Sequence, residues 1–391
     1  MHALSLDNYL REKLENRQAR NLYRNRLNSS SACKSEMLVE GRNVVNFSSN
    51  DYLGLANHAD LAHALSEGVK KFGVGSGASH LISGHHQVHK MLEEQIAQFT
   101  GRSRALFFAN GYMANMGVLG SLLSDQDLIL SDELNHASLI DGCRLSRARC
   151  LRFKHANYHD LQEKISSAKF RYCVVVTDGV FSMDGDTAPL NEISEICRKY
   201  GAWLMVDDAH GFGVLGRNGG GLVEMLGLDR DQVPILVGTF GKSFGTYGAF
   251  VVGSEALIES LIQFSRNYIY TTALPPALAY ATSASIKIVE RESWRLQSVA
   301  RNVEYFRALA LCKGLSLPQS DTPIQPILVG NDERVADLGS LLLNRGFLVG
   351  AIRPPTVPVG SGRLRISISA EHSKEQLDGL INILCELGLN G

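Results

Sequence analysis

The stretch Trp203-Leu-Met-Val-Asp-Asp-Ala-His-Gly211 joins a short apolar run directly to two aspartates and a histidine. A short apolar run that ends in turn residues is typical of a strand buried within a parallel sheet. In open α/β sheets, ligands bind beyond the carboxyl ends of such strands. The stretch therefore predicts a central strand with a functional site at its end, although a solvated turn that carries charge is an equal alternative from these residues alone.

Similar apolar runs occur on both sides of this stretch along the chain. They predict strands at 44–47, 104–108, 127–130, 172–177, 202–206, 235–237 and 248–252. Amphipathic segments that predict helices lie between several of these runs, at 88–99, 190–200 and 255–265. Because strands alternate with helices, we expect an α/β fold with a mostly parallel sheet covered by helices on both faces.

The two ends of the chain are patterned differently from this central part. Residues 5–27 predict a polar helix, and a long helical pattern covers 277–312. Short predicted strands and a final helix follow, at 324–329, 347–349, 364–368 and 373–387. We therefore expect three parts: an N-terminal helical segment (1–45), a large α/β domain (46–289) and a smaller α+β C-terminal domain (290–391).

Charge and cysteine content argue against several classes of protein. The formal net charge of −1 provides no general field for nucleic acid or an anionic membrane, so neither is an expected partner. No run approaches the ~18 apolar residues of a membrane span, and the polar N-terminus lacks a stretch typical of a signal peptide. The seven cysteines are scattered without a CxxC pair, which favours a reducing compartment and hence the cytoplasm.

A lysine follows another predicted strand, in Thr239-Phe-Gly-Lys242-Ser-Phe-Gly245. Glycine lets the backbone approach a ligand closely, and a lysine among small and aromatic residues can become a usable amine. Taken alone, the segment favours a surface lysine in a turn. Polar residues also follow the strand ends at 131–138 and 178–186, so several strands present polar groups at one edge of the sheet.

Two further patterns have a weaker functional interpretation. Gly211-Phe-Gly213-Val-Leu-Gly216 matches GxGxxG, but the glycines that follow it disfavour the helix that a dinucleotide site requires. His85, His86 and His89 suggest a metal site, yet no nearby cysteine completes a ligand set, although two neighbouring glutamates offer oxygens. We interpret the histidines as the surface of a helix N-terminus and expect no metal.

Taken together, the motifs resemble those of the α-oxoamine synthases, which are fold-type I pyridoxal-phosphate enzymes. The resemblance covers essentially the whole chain and rests on Asn46-Phe-Ser-Ser-Asn-Asp-Tyr-Leu-Gly-Leu55 and on residues 73–84, 131–139, 177–186, 206–213 and 239–245. It implies a large domain with a mostly parallel seven-stranded sheet flanked by helices, and a smaller α+β C-terminal domain. It also implies pyridoxal 5'-phosphate as cofactor.

The resemblance assigns roles around the cofactor ring. Lys242 would form the Schiff base with the cofactor and later act as general base and acid. Asp207 would pair with the pyridinium nitrogen so that the ring can accept electrons. His210 and Ser182 would hydrogen-bond the phenolic oxygen, and His136 would stack on the ring.

The phosphate contacts that the resemblance implies come from two subunits. The backbone of Gly111 and Tyr112, together with Thr239, would bind the phosphate at the start of a helix. Thr271 and Thr272 match positions that reach the phosphate of the neighbouring subunit. A homodimer with a shared active site is therefore implied.

Substrate positions are implied in the same way. Arg365 matches the family's arginine that binds the amino-acid carboxylate, a task suited to a guanidinium fork. Asn50 and His136 would contact the same substrate, and Arg24 and Thr356 match positions associated with the acyl substrate.

Within the family, Ile352-Arg-Pro-Pro-Thr-Val-Pro358 is the discriminating segment. It resembles the member that condenses L-alanine with a pimeloyl thioester of coenzyme A or acyl carrier protein, with loss of carbon dioxide and free thiol, in biotin biosynthesis. One alternative is a family member that uses glycine and acetyl-coenzyme A, such as 2-amino-3-ketobutyrate ligase. The others are a nicotinamide-dependent oxidoreductase that uses the GxGxxG segment, and a catalytically silent binding protein.

Overall fold

The computed structural model of the chain describes residues 5–20 and 22–390 and contains two β-sheets flanked by helices. The strands are β1 (Glu36–Val39), β2 (Arg42–Phe47), β3 (Arg104–Phe108), β4 (Leu128–Asp132), β5 (Arg149–Phe153), β6 (Cys173–Asp178), β7 (Trp203–Asp207), β8 (Ile235–Thr239), β9 (Ala249–Gly253), β10 (Ile324–Gly330), β11 (Phe347–Ile352) and β12 (Gly362–Ser367). The helices are α1 (Leu6–Ala19), α2 (Ala59–Phe72), α3 (Gln87–Phe99), α4 (Gly111–Leu122), α5 (Ala137–Leu145), α6 (Tyr158–Ser167), α7 (Leu190–Tyr200), α8 (Gly221–Met225), α9 (Glu255–Phe264), α10 (Arg266–Ile269), α11 (Pro276–Arg291), α12 (Trp294–Cys312), α13 (Asp332–Asn344) and α14 (Lys374–Glu386).

The larger sheet has seven strands in the order β3-β9-β8-β7-β6-β4-β5. Its strands β8, β7, β6, β4 and β5 run parallel, and β9 pairs antiparallel with both β8 and β3. The prediction of an α/β fold with a mostly parallel seven-stranded sheet is confirmed. Because β6, β7 and β8 are adjacent and parallel, the polar residues that follow them meet at one edge of the sheet.

One strand of this sheet was not predicted from the sequence. Among the described residues, strand β5 pairs only with β4 and is largely exposed, with the sequence Arg-Cys-Leu-Arg-Phe. An edge strand buries little apolar surface, so it lacks the apolar run by which a buried strand is identified. The run predicted at 44–47 is also a strand, but it belongs to the smaller sheet as part of β2.

The smaller sheet combines strands from both ends of the chain, in the order β1-β2-β11-β12-β10. Strand β2 pairs parallel with β11, and β12 pairs antiparallel with β11 and β10. Residues 36–39 and 42–45, which precede position 46, thus belong to strands of this sheet. The division into 1–45, 46–289 and 290–391 remains a prediction.

Two helical predictions differ from the structure at their boundaries. Helix α1 ends at Ala19, before the predicted residue 27, and none of its residues is buried. Helical stability comes mostly from packing of an apolar face, so the polar pattern alone did not define the end of this helix. The pattern at 277–312 is divided into α11 and α12 at Glu292 and Ser293.

Within 5–20 and 22–390, no helix is long and apolar enough to cross a membrane.

Candidate active site

The site lies where β6, β7 and β8 end at the same edge of the larger sheet. Asp178 and Asp207, the last residues of β6 and β7, are direct partners in the parallel register. Lys242 lies in the loop after β8. Burial lowers the pKa of Lys242 to about 8, against the opposing attraction of Asp207 and Asp178. The strand ends thus bring together a usable amine and two buried carboxyl groups, as the strand pattern predicted.

Aromatic anchors on either side of Lys242 hold its loop. Phe240 and Phe244 are fully buried, and their ring centroids lie 5.6 Å apart. The loop then passes close to the backbone of residues 55 and 56 at Gly245, whose φ is +64°. A Cβ atom at Gly245 would lie 2.4 Å from the backbone nitrogen of Ala56. Glycine is therefore required here for both its backbone conformation and its lack of a side chain.

Asp207 is almost completely buried and is held by two donors. Its Oδ1 accepts a hydrogen bond from the backbone nitrogen of Ala209 at 3.0 Å, and its Oδ2 accepts one from Nδ2 of Asn115 at 2.6 Å. Asn115, on α4, was not identified from the sequence. An amide among the apolar residues of a helix is the pattern by which it could have been found, because buried polar groups require partners.

Asp178 supports His136 rather than facing solvent. Its Oδ2 accepts a hydrogen bond from the backbone nitrogen of His136 at 2.6 Å, and its own backbone nitrogen donates to Asn135 at 2.9 Å. Burial, and then the charge of Asp207, raises the pKa of Asp178 well above its ordinary value. Asp207 accepts two hydrogen bonds from nitrogen donors, so its carboxylate is the member of this pair whose charge the surroundings stabilise.

His136 precedes α5 and approaches the site from the side of β4. Its Nδ1 lies 2.7 Å from Oγ of Ser138, and its ring centroid is 6.3 Å from that of Tyr112. Desolvation lowers the pKa of His136, although the nearby charge of Asp207 opposes this effect. The lowered pKa favours the neutral imidazole, whose Nδ1 accepts a hydrogen bond from the backbone nitrogen of Ser138 at 3.3 Å.

A second cluster of polar side chains surrounds His210. The hydroxyl of Tyr52 lies 2.8 Å from Nδ1 of His210 and donates to Oδ1 of Asn50 at 3.1 Å. Nη2 of Arg365 donates to Oδ1 of Asn50 at 3.1 Å and to the Tyr52 hydroxyl at 3.3 Å. Burial, and then the positive charges of Lys242 and Arg365, lowers the pKa of His210 well below its ordinary value. Tyr52 was not singled out from the sequence, although it lies within the motif at 46–55.

Arg365 connects the two sheets. It lies on β12, is nearly buried, and donates from Nε to the backbone oxygen of Ser182 at 2.5 Å and from Nη1 to Oγ of Ser367 at 2.8 Å. Ser182 belongs to the loop after β6, which also forms an ion pair between Asp184 and Arg363 of β12. The predicted carboxylate-binding arginine is thus held firmly beside Asn50 and the predicted contact Ser182.

The predicted phosphate position is the start of α4. The side chain of Asn110 accepts from the backbone nitrogen of Met113 at 2.9 Å, and the helix begins at Gly111. The first N–H groups of a helix have no partner within it and suit an anion. Tyr112 is the second helical residue, and its hydroxyl donates to Asp141. Thr239 is buried at the end of β8, and its hydroxyl donates to the backbone oxygen of Gly248 at 2.9 Å.

The remaining predicted residues lie in two other places. Thr271 donates to the backbone oxygen of Asn267 at 2.6 Å, and Thr272 forms a β-bridge with Ser79. Nη2 of Arg24 lies 3.3 Å from Oγ1 of Thr356, although 332 positions separate them. The structure thus brings together the two residues predicted for the acyl substrate.

The GxGxxG segment does not form a nucleotide-binding turn. The backbone nitrogen of Gly213 donates to the oxygen of Gly219 at 2.7 Å, which closes a loop before α8 begins at Gly221. A dinucleotide site needs the helix directly after the glycines. The segment is therefore a connecting loop.

The histidines near α3 are only partly at the surface. His85 is exposed, but His89 is fully buried and lies on the same helical face as Leu92 and Ile96. His80, His85 and His89 have ring nitrogens within 4.8 Å of one another. Both ring nitrogens of His89 already have backbone partners, at the nitrogen of His86 (3.0 Å) and the oxygen of Leu274 (2.9 Å). Burial of His89 corrects the interpretation of this residue as surface.

The groups at the strand ends fit pyridoxal phosphate. A buried amine with a lowered pKa suits an aldehyde, an ionised carboxylate suits a protonated ring nitrogen, and a helix start suits a phosphate. Lys242, Asp207 and Gly111 supply these three groups.

Comparison with known proteins agrees with this geometry. Residues 42–384 match the family model "Aminotransferase class I and II". An 8-amino-7-oxononanoate synthase of Saccharophagus degradans is 50% identical over 386 residues, covering 98% of this chain and 97% of that protein. A protein of the same description from Pseudomonas aeruginosa is 52% identical over 377 residues, covering 96% and 94%.

Solved structures show the same similarity. A serine palmitoyltransferase from S. paucimobilis with a bound PLP–myriocin aldimine has a TM-score of 0.92 at 29% identity, covering 99% of this chain and 98% of that chain. An 8-amino-7-oxononanoate synthase from Francisella tularensis has a TM-score of 0.78 at 34% identity, covering 88% and 97%.

Proposed function

We propose that this chain condenses L-alanine with a pimeloyl thioester, because it belongs to the class I and II aminotransferase family and is a pyridoxal-phosphate-dependent acyltransferase. The products are 8-amino-7-oxononanoate, carbon dioxide and the free thiol of coenzyme A or acyl carrier protein, in biotin biosynthesis. Relatives with this description are 50–52% identical over 96–98% of the chain. The single structural observation that carries the proposal is the nearly buried Arg365, held beside Asn50 at the edge of the Lys242 and Asp207 site.

When bound, pyridoxal phosphate supplies an electron-accepting ring that stabilises negative charge at the substrate α-carbon. Lys242 would hold the cofactor, and its amine would then remove and return the proton at that carbon. A pKa of about 8 suits both directions of transfer near neutral pH. Asp207 would keep the ring nitrogen protonated, with His210 and Ser182 at the phenolic oxygen.

Substrate orientation is the second task of the protein. The guanidinium of Arg365 would bind the carboxylate of alanine, with Asn50 and His136 next to it. Arg24 and Thr356 would contact the acyl chain, and their 3.3 Å contact supports a shared role. Holding both substrates against the cofactor turns a reaction between separate molecules into one within a single complex.

We propose a homodimer with a shared site and a cytoplasmic location. Thr271 and Thr272 would reach the phosphate of the partner subunit, as the resemblance to the family implies. Free cysteines throughout the described residues support a reducing compartment.

The proposal is tested by the visible spectrum and by substrate choice. We expect an absorption band near roughly 420 nm that borohydride abolishes and that Lys242→Ala lacks. L-Alanine with pimeloyl-coenzyme A should release thiol and carbon dioxide, and glycine with acetyl-coenzyme A should release far less. A preference for the glycine pair would contradict the substrate assignment, and a protein that remains colourless with pyridoxal phosphate would contradict the cofactor.

A further inference from the structure

Four side chains, of which three are buried, form a continuous series of hydrogen bonds at the site. Nδ2 of Asn115 donates to Oδ2 of Asp207 at 2.6 Å and to Oγ of Ser138 at 2.8 Å. Oγ of Ser138 lies 2.7 Å from Nδ1 of His136. Asn115 and Ser138 are completely buried, on α4 and α5. This chain therefore joins two residues to which the proposed function gives separate cofactor contacts.

The direction of the Asn115 amide follows from its neighbour. An ionised carboxylate only accepts hydrogen bonds, so the atom 2.6 Å from Oδ2 of Asp207 has to be the amide nitrogen. The opposite orientation would bring two oxygens together without a hydrogen between them. The orientation of Asn115 is therefore fixed by the charge of Asp207, although amide oxygen and nitrogen look alike in most structures.

The orientation of the Asn115 amide also determines the hydrogen bonds of Ser138 and His136. Both hydrogens of the amide nitrogen are used, one toward Asp207 and one toward Ser138, so the Ser138 oxygen accepts from Asn115. The backbone nitrogen of Ser138 donates to Nδ1 of His136 at 3.3 Å, so Nδ1 is an acceptor and the hydroxyl hydrogen of Ser138 also points to it. Because Nδ1 accepts, the proton of the neutral imidazole is on Nε2.

We propose that Asn115 is a positioning residue, which holds the carboxylate of Asp207 and, through Ser138, sets His136 as the tautomer that is protonated on Nε2. This inference rests on the proposed contacts of Asp207 and His136 with cofactor and substrate. The amide of Asn115 thus positions both Asp207, at the ring nitrogen, and His136, beside the ring face.

The other end of the amide supports a positioning role. Oδ1 of Asn115 is buried and has no hydrogen-bond partner among residues 5–20 and 22–390. A buried acceptor without a partner disfavours folding, and a leucine of similar shape avoids this penalty. The two donors of Asn115 therefore serve Asp207 and Ser138. Asn115→Leu removes the unpaired acceptor but leaves Oδ2 of Asp207 without its donor, so we expect the thermal midpoint of unfolding to fall modestly.

The test compares holoenzyme variants that interrupt the chain at different points. Asn115→Leu removes both donors, and Ser138→Ala removes the hydroxyl between Asn115 and His136 but keeps the hydrogen bond from Asn115 to Asp207. Ser121→Ala is the matched control. Ser121 is also on α4, but its hydroxyl donates to the backbone of Gly117 at 2.6 Å within the helix. Two readouts are used: the pH titration of the visible absorption band, and the ¹⁵N signals of histidine rings in ¹⁵N-histidine-labelled protein, with His136 assigned by His136→Gln.

We expect wild type and Ser121→Ala to show His136 protonated on Nε2. Asn115→Leu should alter the His136 signals, move the midpoint of the absorbance titration upward by about one pH unit, and weaken cofactor retention about tenfold, because a charged hydrogen bond to Asp207 is lost. Ser138→Ala should alter the His136 signals and leave the titration midpoint unchanged.

Three results would overturn the inference. They are a wild-type His136 protonated on Nδ1, an Asn115→Leu variant with an unchanged titration midpoint, and a Ser138→Ala variant with unchanged His136 signals. Failure of the cofactor assignment is distinguishable, because wild type would then form no visible band at all. Failure of the substrate assignment would appear as a preference for the glycine pair and would leave both readouts unchanged. If Asn115→Leu does not fold, the wild-type and Ser138→Ala signals of His136 still decide the inference.

Discussion

Nη2 of Arg365 donates to Oδ1 of Asn50 at 3.1 Å, although 315 positions separate the two residues. Asn50 follows β2 and Arg365 lies on β12, so the proposed carboxylate site is built from strands of the smaller sheet. The cofactor site, in contrast, is built from the larger sheet. Substrate binding therefore depends on the contact between the two sheets, which Arg365 itself makes through the backbone oxygen of Ser182.

Arg365→Lys should weaken binding of the amino acid more than it slows the chemical step. Lysine keeps the charge but loses the planar fork and the Nε contact with Ser182. We expect the KM for L-alanine to rise about tenfold or more, with a smaller change in kcat. Arg345→Lys is the control, because Arg345 is exposed and pairs only with Glu386 among the ion pairs described. Equal KM values for the Arg365 variant and wild type would contradict the carboxylate role.

The amine of Lys242 should react with added pyridoxal phosphate with a pH dependence set by its lowered pKa. Only the neutral amine is a nucleophile, and a pKa of about 8 makes half of it neutral at that pH. The rate at which apoprotein regains its visible band should therefore rise up to about pH 8 and level off above it. A rate that continues to rise toward pH 10 would indicate an ordinary lysine.

Gly245→Ala should destabilise the protein more than Gly201→Ala. Both glycines have positive φ, +64° and +67°. A Cβ at Gly245 would collide with the backbone of Ala56, whereas a Cβ at Gly201 meets nothing within 4 Å. We expect a loss of about 1–2 kcal/mol in the free energy of unfolding for Gly201→Ala, from backbone strain alone, and about 2–5 kcal/mol for Gly245→Ala. Urea unfolding measures both, and equal losses would show that the close approach is easily relieved.

His155 should make stability depend on alkaline pH. Burial lowers the pKa of His155, but hydrogen bonds to Asp132 at 3.1 Å and Asp186 at 2.7 Å outweigh this effect and raise the pKa to about 10. A raised folded-state pKa stabilises the fold fully below the unfolded value of about 6.5, and the contribution is lost as pH rises toward 10.

The variant His155→Gln cannot carry this charge. The difference in free energy of unfolding between wild type and variant should therefore be largest near pH 6 and shrink by pH 10. Urea unfolding at the two pH values measures it. A difference that is constant across this range would mean that the charge of His155 contributes nothing.

The sequence predicts those residues of the site best that come directly after a buried strand. Asp207 and Lys242 come directly after apolar runs, and parallel pairing brings such positions together without further information. Asn115 and Ser138 are within helices, so their meeting depends on how α4 packs against α5. Arg24 and Thr356 have no local pattern, and only the resemblance to a family identified them. Long-range contacts of this kind cannot be read from periodicity, because periodicity reports only which face of an element is buried.

The pairing of β2 with β11 also determines the order in which the enzyme can assemble during translation. Val45 pairs with Phe347, 302 positions later, so at typical synthesis speeds its partner strand emerges roughly 15–60 s afterwards. All strands of the larger sheet have been synthesised by Gly253. This sheet can therefore fold before the partner strand of β2 has been synthesised. A nascent chain therefore acquires its cofactor-binding residues first, and it becomes competent to select an amino acid only when the last strands arrive.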